Sequence, residues 1–118
     1  MNMTIVKSGI NRPLFIDFDQ YTDGDVEFKK ELIYLMIENL TELKDSLSEA
    51  IKRNKLELFD KTCHKIKPTL GMLGDNDLME SIQSIRNLFH NRKDHDVLLN
   101  TFTTACTEIA KSLEKEGR

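Results

Sequence analysis

Residues 25–53 read DVEFKKELIYLMIENLTELKDSLSEAIKR. Within this stretch Leu32, Met36, Leu40, Leu43, Leu47 and Ile51 recur at spacings of three and four. At that period side chains share one face of an α-helix. The run opens after Thr22-Asp23-Gly24, so Asp25 reads as an N-cap, with acids favourably placed in the first turn. Asn54 is a fitting end, because asparagine tolerates the left-handed cap conformation. Phe28, Ile33, Leu35 and Ile37 widen the apolar face, which predicts contact with more than one neighbour. At about 1.5 Å per residue this helix spans roughly 43 Å and is the longest of the chain.

Working outward, a second helix is predicted from Leu56 to Leu73, stopped by Gly74, with the stripe Phe59, Cys63, Ile66, Leu70 and Leu73. Asp75 or Asp77 caps a third, striped by Leu78, Ile82, Ile85 and Phe89 and ended by Asn91-Arg92-Lys93. Asp94 or Asp96 caps a fourth, which carries Leu98, Phe102, Cys106, Ile109 and Leu113 and a fraying tail over 114–118. Upstream, Leu14 to Phe18 and Tyr21 fit either a short helix or an extended arm. Short connections between amphipathic helices make neighbours antiparallel. The expected fold is therefore all-α: an antiparallel up-and-down four-helix bundle over residues 23–116, preceded by an N-terminal arm or short helix over 1–22.

Bulk properties narrow the function. The 118 residues suit one domain, and two prolines and five glycines leave few breaks. A formal charge of −3 without a basic stripe argues against nucleic-acid binding. No apolar run approaches the roughly 20 residues that span a bilayer, and the N-terminus lacks a signal-like apolar core. A cytoplasmic, membrane-free monomer is expected. Cys63 and Cys106 fit no disulfide or metal framework and read as reduced, core-packed thiols.

The second helix holds the informative residue. At about 100° per residue, His64 falls about 140° from the centre of the apolar stripe, Lys67 near 80°, Gly71 near 120° and Pro68 near 180°. His64 thus points into water, where most histidines are ordinary surface residues. Two features favour a role. Gly71 lies almost in register with His64, and glycine inside a helix costs about 1 kcal/mol against alanine, so bare backbone there suits an approaching partner. Lys67, one turn from His64, can accompany a phosphoryl group. Neutral imidazole is the nucleophilic form, well populated at cytoplasmic pH for an ordinary histidine.

The run from His64 through Lys67, Pro68, Gly71, Leu73 and Gly74 resembles the signature of histidine-containing phosphotransfer (HPt) domains. In that signature a lysine stands three residues after the phosphoacceptor histidine, and Leu-Gly nine and ten after it. The resemblance extends more weakly over about Phe18 to Leu113. It implies a phosphocarrier, not an enzyme: His64 would accept and donate a phosphoryl group between receiver-domain aspartates in a two-component phosphorelay, assisted by Lys67. Partners implied are response-regulator receiver domains and a hybrid sensor kinase. No resident cofactor is implied, since Mg²⁺ belongs to the receiver. Pro68 departs from the family, which usually has glycine there. Proline removes the N–H that would bond the His64 carbonyl and crowds that carbonyl, at a cost of up to about 3 kcal/mol. Either a kink or a break at Lys67 follows; the unbroken phase of the stripe favours a kinked, continuous helix.

Around His64, Lys61, Lys65, Pro68 and Gly71 are the expected partner-access residues. Lysines 52, 55, 61, 65 and 67 form either a solvated face or an attraction for an acidic pocket. His90 and His95 lack a third ligand at metal-site spacing, so no metal is expected. A Cys63–His64 dyad is disfavoured, because adjacent helical residues point about 100° apart. The alternative to carriage is a helical interaction module without phosphoryl chemistry.

Overall fold

The computed structural model describes residues 12–118; the remainder of the expected arm, residues 1–11, lies outside them. Asp25 opens the long helix as expected, its carboxylate accepting the Phe28 N–H at 3.1 Å. This helix, α2 (Val26–Arg53), follows a short α1 (Phe18–Thr22) and closes on Asn54 at φ 54°. Next come α3 (Leu56–Lys65), α4 (Lys67–Leu73) and α5 (Asn76–Leu88), then a 3₁₀ turn (Arg92–Asp94) and α6 (His95–Glu116). The described residues are all-α and contain no strand.

The stripes become the core. Met36, Leu40, Leu43 and Leu47 of α2 are fully buried, as are Phe59, Phe102, Cys106, Ile109 and Leu113. Each large apolar side chain so buried is worth about 1.5–3 kcal/mol. Phe59 and Phe102 meet edge to face at 5.5 Å, joining α3 to α6. α2 packs on α3 and on α6, α5 packs on α6, and α1 on α2. Pairing of Asn39 with Thr69 and of Glu42 with Lys65 runs in opposite senses along the chain, so α2 is antiparallel to the α3–α4 segment.

Four expectations need correction. The second helix is not continuous. It is interrupted at Ile66 (φ −100°, ψ 18°), one residue before Lys67. Restarting at Lys67 puts Pro68 in the first turn of α4, where an N–H has no intrahelical partner to lose. The stripe still keeps its phase, because Ile66, Leu70 and Leu73 all stay buried. Phe28 and Leu35 do not widen the buried face: they are 47% and 48% exposed. Both lie outside the strip of α2 that its neighbours cover. The fourth helix has no side-chain cap; Asp94 is helical, and the 3₁₀ turn feeds directly into α6. Its tail is helical to Glu116, held by Lys29 at 2.8 Å, with Gly117 against Ile33.

The arm at residue 12 is anchored. Arg12 grips Asp75 with two hydrogen bonds, at 2.9 and 3.1 Å, and Glu108 with a third at 3.1 Å. Its carbonyl accepts the Ser112 hydroxyl at 2.7 Å. Asp75 also caps α5 through the Leu78 N–H at 3.0 Å. One guanidinium thus ties the segment before α1 to α5 and α6. Burial pushes the Asp75 carboxyl up, but the Arg12 hydrogen bonds, the Leu78 N–H and the Arg12 charge outweigh it, leaving the carboxyl below the usual aspartate range.

Arg12→Ala is expected to lower stability by about 1.5–3 kcal/mol, the size of a charge-assisted hydrogen-bond set, measured by urea unfolding. A carboxylate with a lowered pKa stabilises the fold above its unfolded titration and loses that contribution as pH falls through the native value. Stability should therefore fall below about pH 4, and Asp75→Asn should flatten that acid limb while keeping an α5 cap.

Candidate functional site

α3 buries Phe59 and Cys63, and this fixes where its other residues face. His64, in the last turn of α3, is exposed, and so are Lys61, Lys65, Lys67, Pro68 and Gly71. All six candidates thus lie on the solvent side of the α3–α4 segment. Among the described residues no other side chain engages the His64 ring or the Lys67 ammonium. Gly71 faces open space: a Cβ built there meets nothing within 4 Å.

The break at Ile66 leaves this face anchored at its edges. Thr69, almost fully buried, accepts a hydrogen bond from the Asn39 amide of α2 at 2.7 Å. That bond fixes the rotation of α4, and with it the outward direction of Pro68 and Gly71. Lys65 is not simply available to a partner: its ammonium bonds Glu42 of α2 at 2.7 Å. On the other flank Asp60, one turn before His64, accepts from the Arg86 Nε of α5 at 2.8 Å. Neither Thr69 nor Arg86 was anticipated. Thr69 sits beside the stripe with no local mark of a partner. Arg86 lies off its own stripe, and only the packing of α5 beside α3 reveals what it faces.

The remaining candidates resolve plainly. Burial pushes the Cys63 thiol up to about 11, partly offset by Arg86, and the Cys106 thiol up to about 12. Both cysteines are free and buried, so a thiolate–imidazole pair with His64 has no basis. His95 is buried and stacks on Phe89 at 4.9 Å, its Nε2–H donating to the Phe89 carbonyl, whereas His90 is exposed. Among the described residues no group of three or more histidine, cysteine or acidic side chains is arranged to hold a metal ion. No helix among them is long and apolar enough to cross a membrane. Two shallow depressions between α5 and α6 share Asp77, Ser81 and Thr101 and include no residue of α3 or α4.

The site therefore offers an unengaged imidazole, an ammonium one turn on, bare backbone beyond and two exposed ion pairs alongside. Comparison with protein families, characterised proteins and solved structures finds no match for this chain.

Two outcomes follow from the geometry. His64→Gln should shift stability by no more than about 0.5 kcal/mol, as for other surface positions, with unchanged far-UV circular dichroism. Gly71→Ala should raise stability by up to about 1 kcal/mol, because the added methyl meets no neighbour. A loss of stability in calorimetry would mean that Gly71 is needed for packing.

Proposed function

We propose that this chain is a histidine phosphocarrier of the HPt type, an antiparallel four-helix bundle working in the cytoplasm. It takes a phosphoryl group from one receiver-domain aspartate and passes it to another through His64. The observation that carries this reading is the exposed, unengaged imidazole of His64, with Lys67 three residues on and an open glycine beyond it on the same face.

The chemistry asks little of the carrier. A neutral imidazole nitrogen attacks the phosphorus in line. The N–P bond forms as the bond from phosphorus to the aspartyl oxygen breaks, and the aspartate leaves as a carboxylate. The proton on the other ring nitrogen stays in place. Charge then sits on the moving group's equatorial oxygens, where Lys67 provides a compensating ammonium. Mg²⁺ on the receiver supplies the larger share of charge stabilisation. Exposed Leu35 on α2 and half-buried Met72 on α4 come level in the antiparallel register and offer apolar contact area to a docking receiver.

The break at Ile66 favours a second reading. A helix disturbed two residues after the histidine also suits an interaction module that has lost phosphoryl transfer. A phosphorylated receiver separates the two. Carriage predicts acid-labile, base-stable label on this chain that is absent in His64→Gln. No label at all sides with the interaction module, and label that persists in His64→Gln overturns the assignment to His64.

Lys67→Ala should slow transfer on the order of tenfold or more, since a charge-assisted contact to phosphate is worth about 1.5–3 kcal/mol, with no change in melting temperature. Gly71→Gln should transfer slowly from a receiver yet accept phosphate normally from low-molecular-weight phosphoramidate. That contrast is the signature of blocked docking with intact chemistry.

A further inference from the structure

We propose that the groove between α5 and α6 is a docking site for an extended peptide segment of a partner protein, apolar at one end and bearing lysine or arginine at the other. The groove includes no residue of α3 or α4, and the proposal stands whether or not His64 carries a phosphoryl group.

The groove follows from the residues that the two helices bring to their seam. Its two depressions share Asp77, Ser81 and Thr101 and so adjoin. The middle is lined by short side chains, Ser81 and Ser84 from α5 with Thr101 and Thr104 from α6. At one end Leu88 and Val97, one from each helix, are 39% and 66% exposed beside the buried ring of Phe102. Asp77, Glu80 and Glu108 make the rest of the groove acidic.

These three zones define the occupant. Arg12 is the one cation among the lining residues, and it is already bonded to Asp75 and Glu108. Asp77, 84% exposed, lies 4.0 Å from that guanidinium. Glu80 lines the groove with hydroxyls and apolar groups and no cation beside it. The α5 dipole accounts for an acid at Asp77, in the first turn, but that effect fades within the turn and does not reach Glu80. A lysine or arginine brought in from outside complements both acids. Single exposed apolar residues are ordinary; Leu88 and Val97 come from different helices and converge on one depression, which makes a seat for an aliphatic side chain. Between the two ends, hydroxyls both donate and accept. They suit a chain whose own N–H and C=O groups are free, as in an extended segment, whereas a helix bonds its backbone internally. At about 1.5 Å per residue, Asp77 and Leu88 stand roughly 16 Å apart along α5, which an extended segment covers in about five residues.

The ¹⁵N-labelled full chain is titrated with the peptide Ac-Leu-Val-Ser-Lys-Thr-Lys-NH₂ and with its reversed sequence, because either chain direction satisfies the groove. With one of them, saturable amide shifts are expected at Ser81, Ser84, Val97, Thr101 and Thr104, with His64 and Lys67 unmoved, and binding should weaken as salt is added. Asp77→Asn combined with Glu80→Gln should weaken binding on the order of tenfold, since two exposed charge pairs are lost. Val97→Ser should weaken it too; a side chain so exposed can change without unfolding the chain, which circular dichroism checks. The same peptide with glutamate in place of lysine should not bind. Absence of saturable shifts, shifts that map away from α5 and α6, or equal binding of the lysine and glutamate peptides overturns the proposal. Wild-type affinity in the doubly substituted variant also overturns it. Groove signals that move with the concentration of the chain alone place a second copy there and overturn it as well.

Discussion

Burial of one stripe, Phe59, Cys63, Ile66, Leu70 and Leu73, governs the rest of the His64 face. Turning the α3–α4 segment by one residue would carry several of these side chains into water, at roughly 1.5–3 kcal/mol each. No interaction available to a single imidazole offsets that. The direction of His64 is thus imposed by the core. The same constraint explains how Pro68 is accommodated. A proline inside a continuous helix costs about 3 kcal/mol, while losing the phase of the stripe would cost more. A one-residue interruption at Ile66, with a new helix begun at Lys67, avoids both. The Asn39–Thr69 hydrogen bond then fixes the second segment against α2.

Charge is used in two ways. At Arg12 the ion pair with Asp75 is shielded, with side-chain exposures of 15% and 7%, and it combines a bidentate hydrogen bond with a helix cap. Such a pair resists exchange, because removing either partner leaves a charge poorly hydrated. Beside His64 the Asp60–Arg86 and Glu42–Lys65 pairs are open to water. Pairs of that kind are worth about 0–1 kcal/mol and can be rearranged by an incoming anion. Rigid anchoring lies away from the candidate site and labile pairing beside it.

Much of this was legible because helices announce themselves through period. The stripes, the caps at Asp25 and Asp75, the left-handed stop at Asn54 and the exposure of His64 are all local consequences of residue order. What was not legible depends on partners distant in the chain. Arg12 and Asp75 are 63 residues apart, Asp60 and Arg86 are 26 apart, and Asn39 and Thr69 are 30 apart. Nothing in the neighbourhood of any one of them names the other. Pro68 is an intermediate case. The disturbance was readable from proline's missing N–H, but whether it became a kink or a break depended on what packing around Ile66 allowed. Phe28 and Leu35 fit the apolar period of α2 yet stay exposed, because period alone does not reveal how wide a strip the neighbouring helices cover.

The central claim is that His64 is a way-station, from which a phosphoryl group leaves as readily as it arrives. Return transfer tests this most directly. The phosphorylated chain is purified away from its donor, mixed with an unphosphorylated receiver and Mg²⁺, and followed by radiolabel over time. Label that passes to the receiver's aspartate faster than it is lost to water, at a rate that depends on Lys67, is the predicted result. Label that stays on the chain or appears only as inorganic phosphate, across a panel of receivers, contradicts the account.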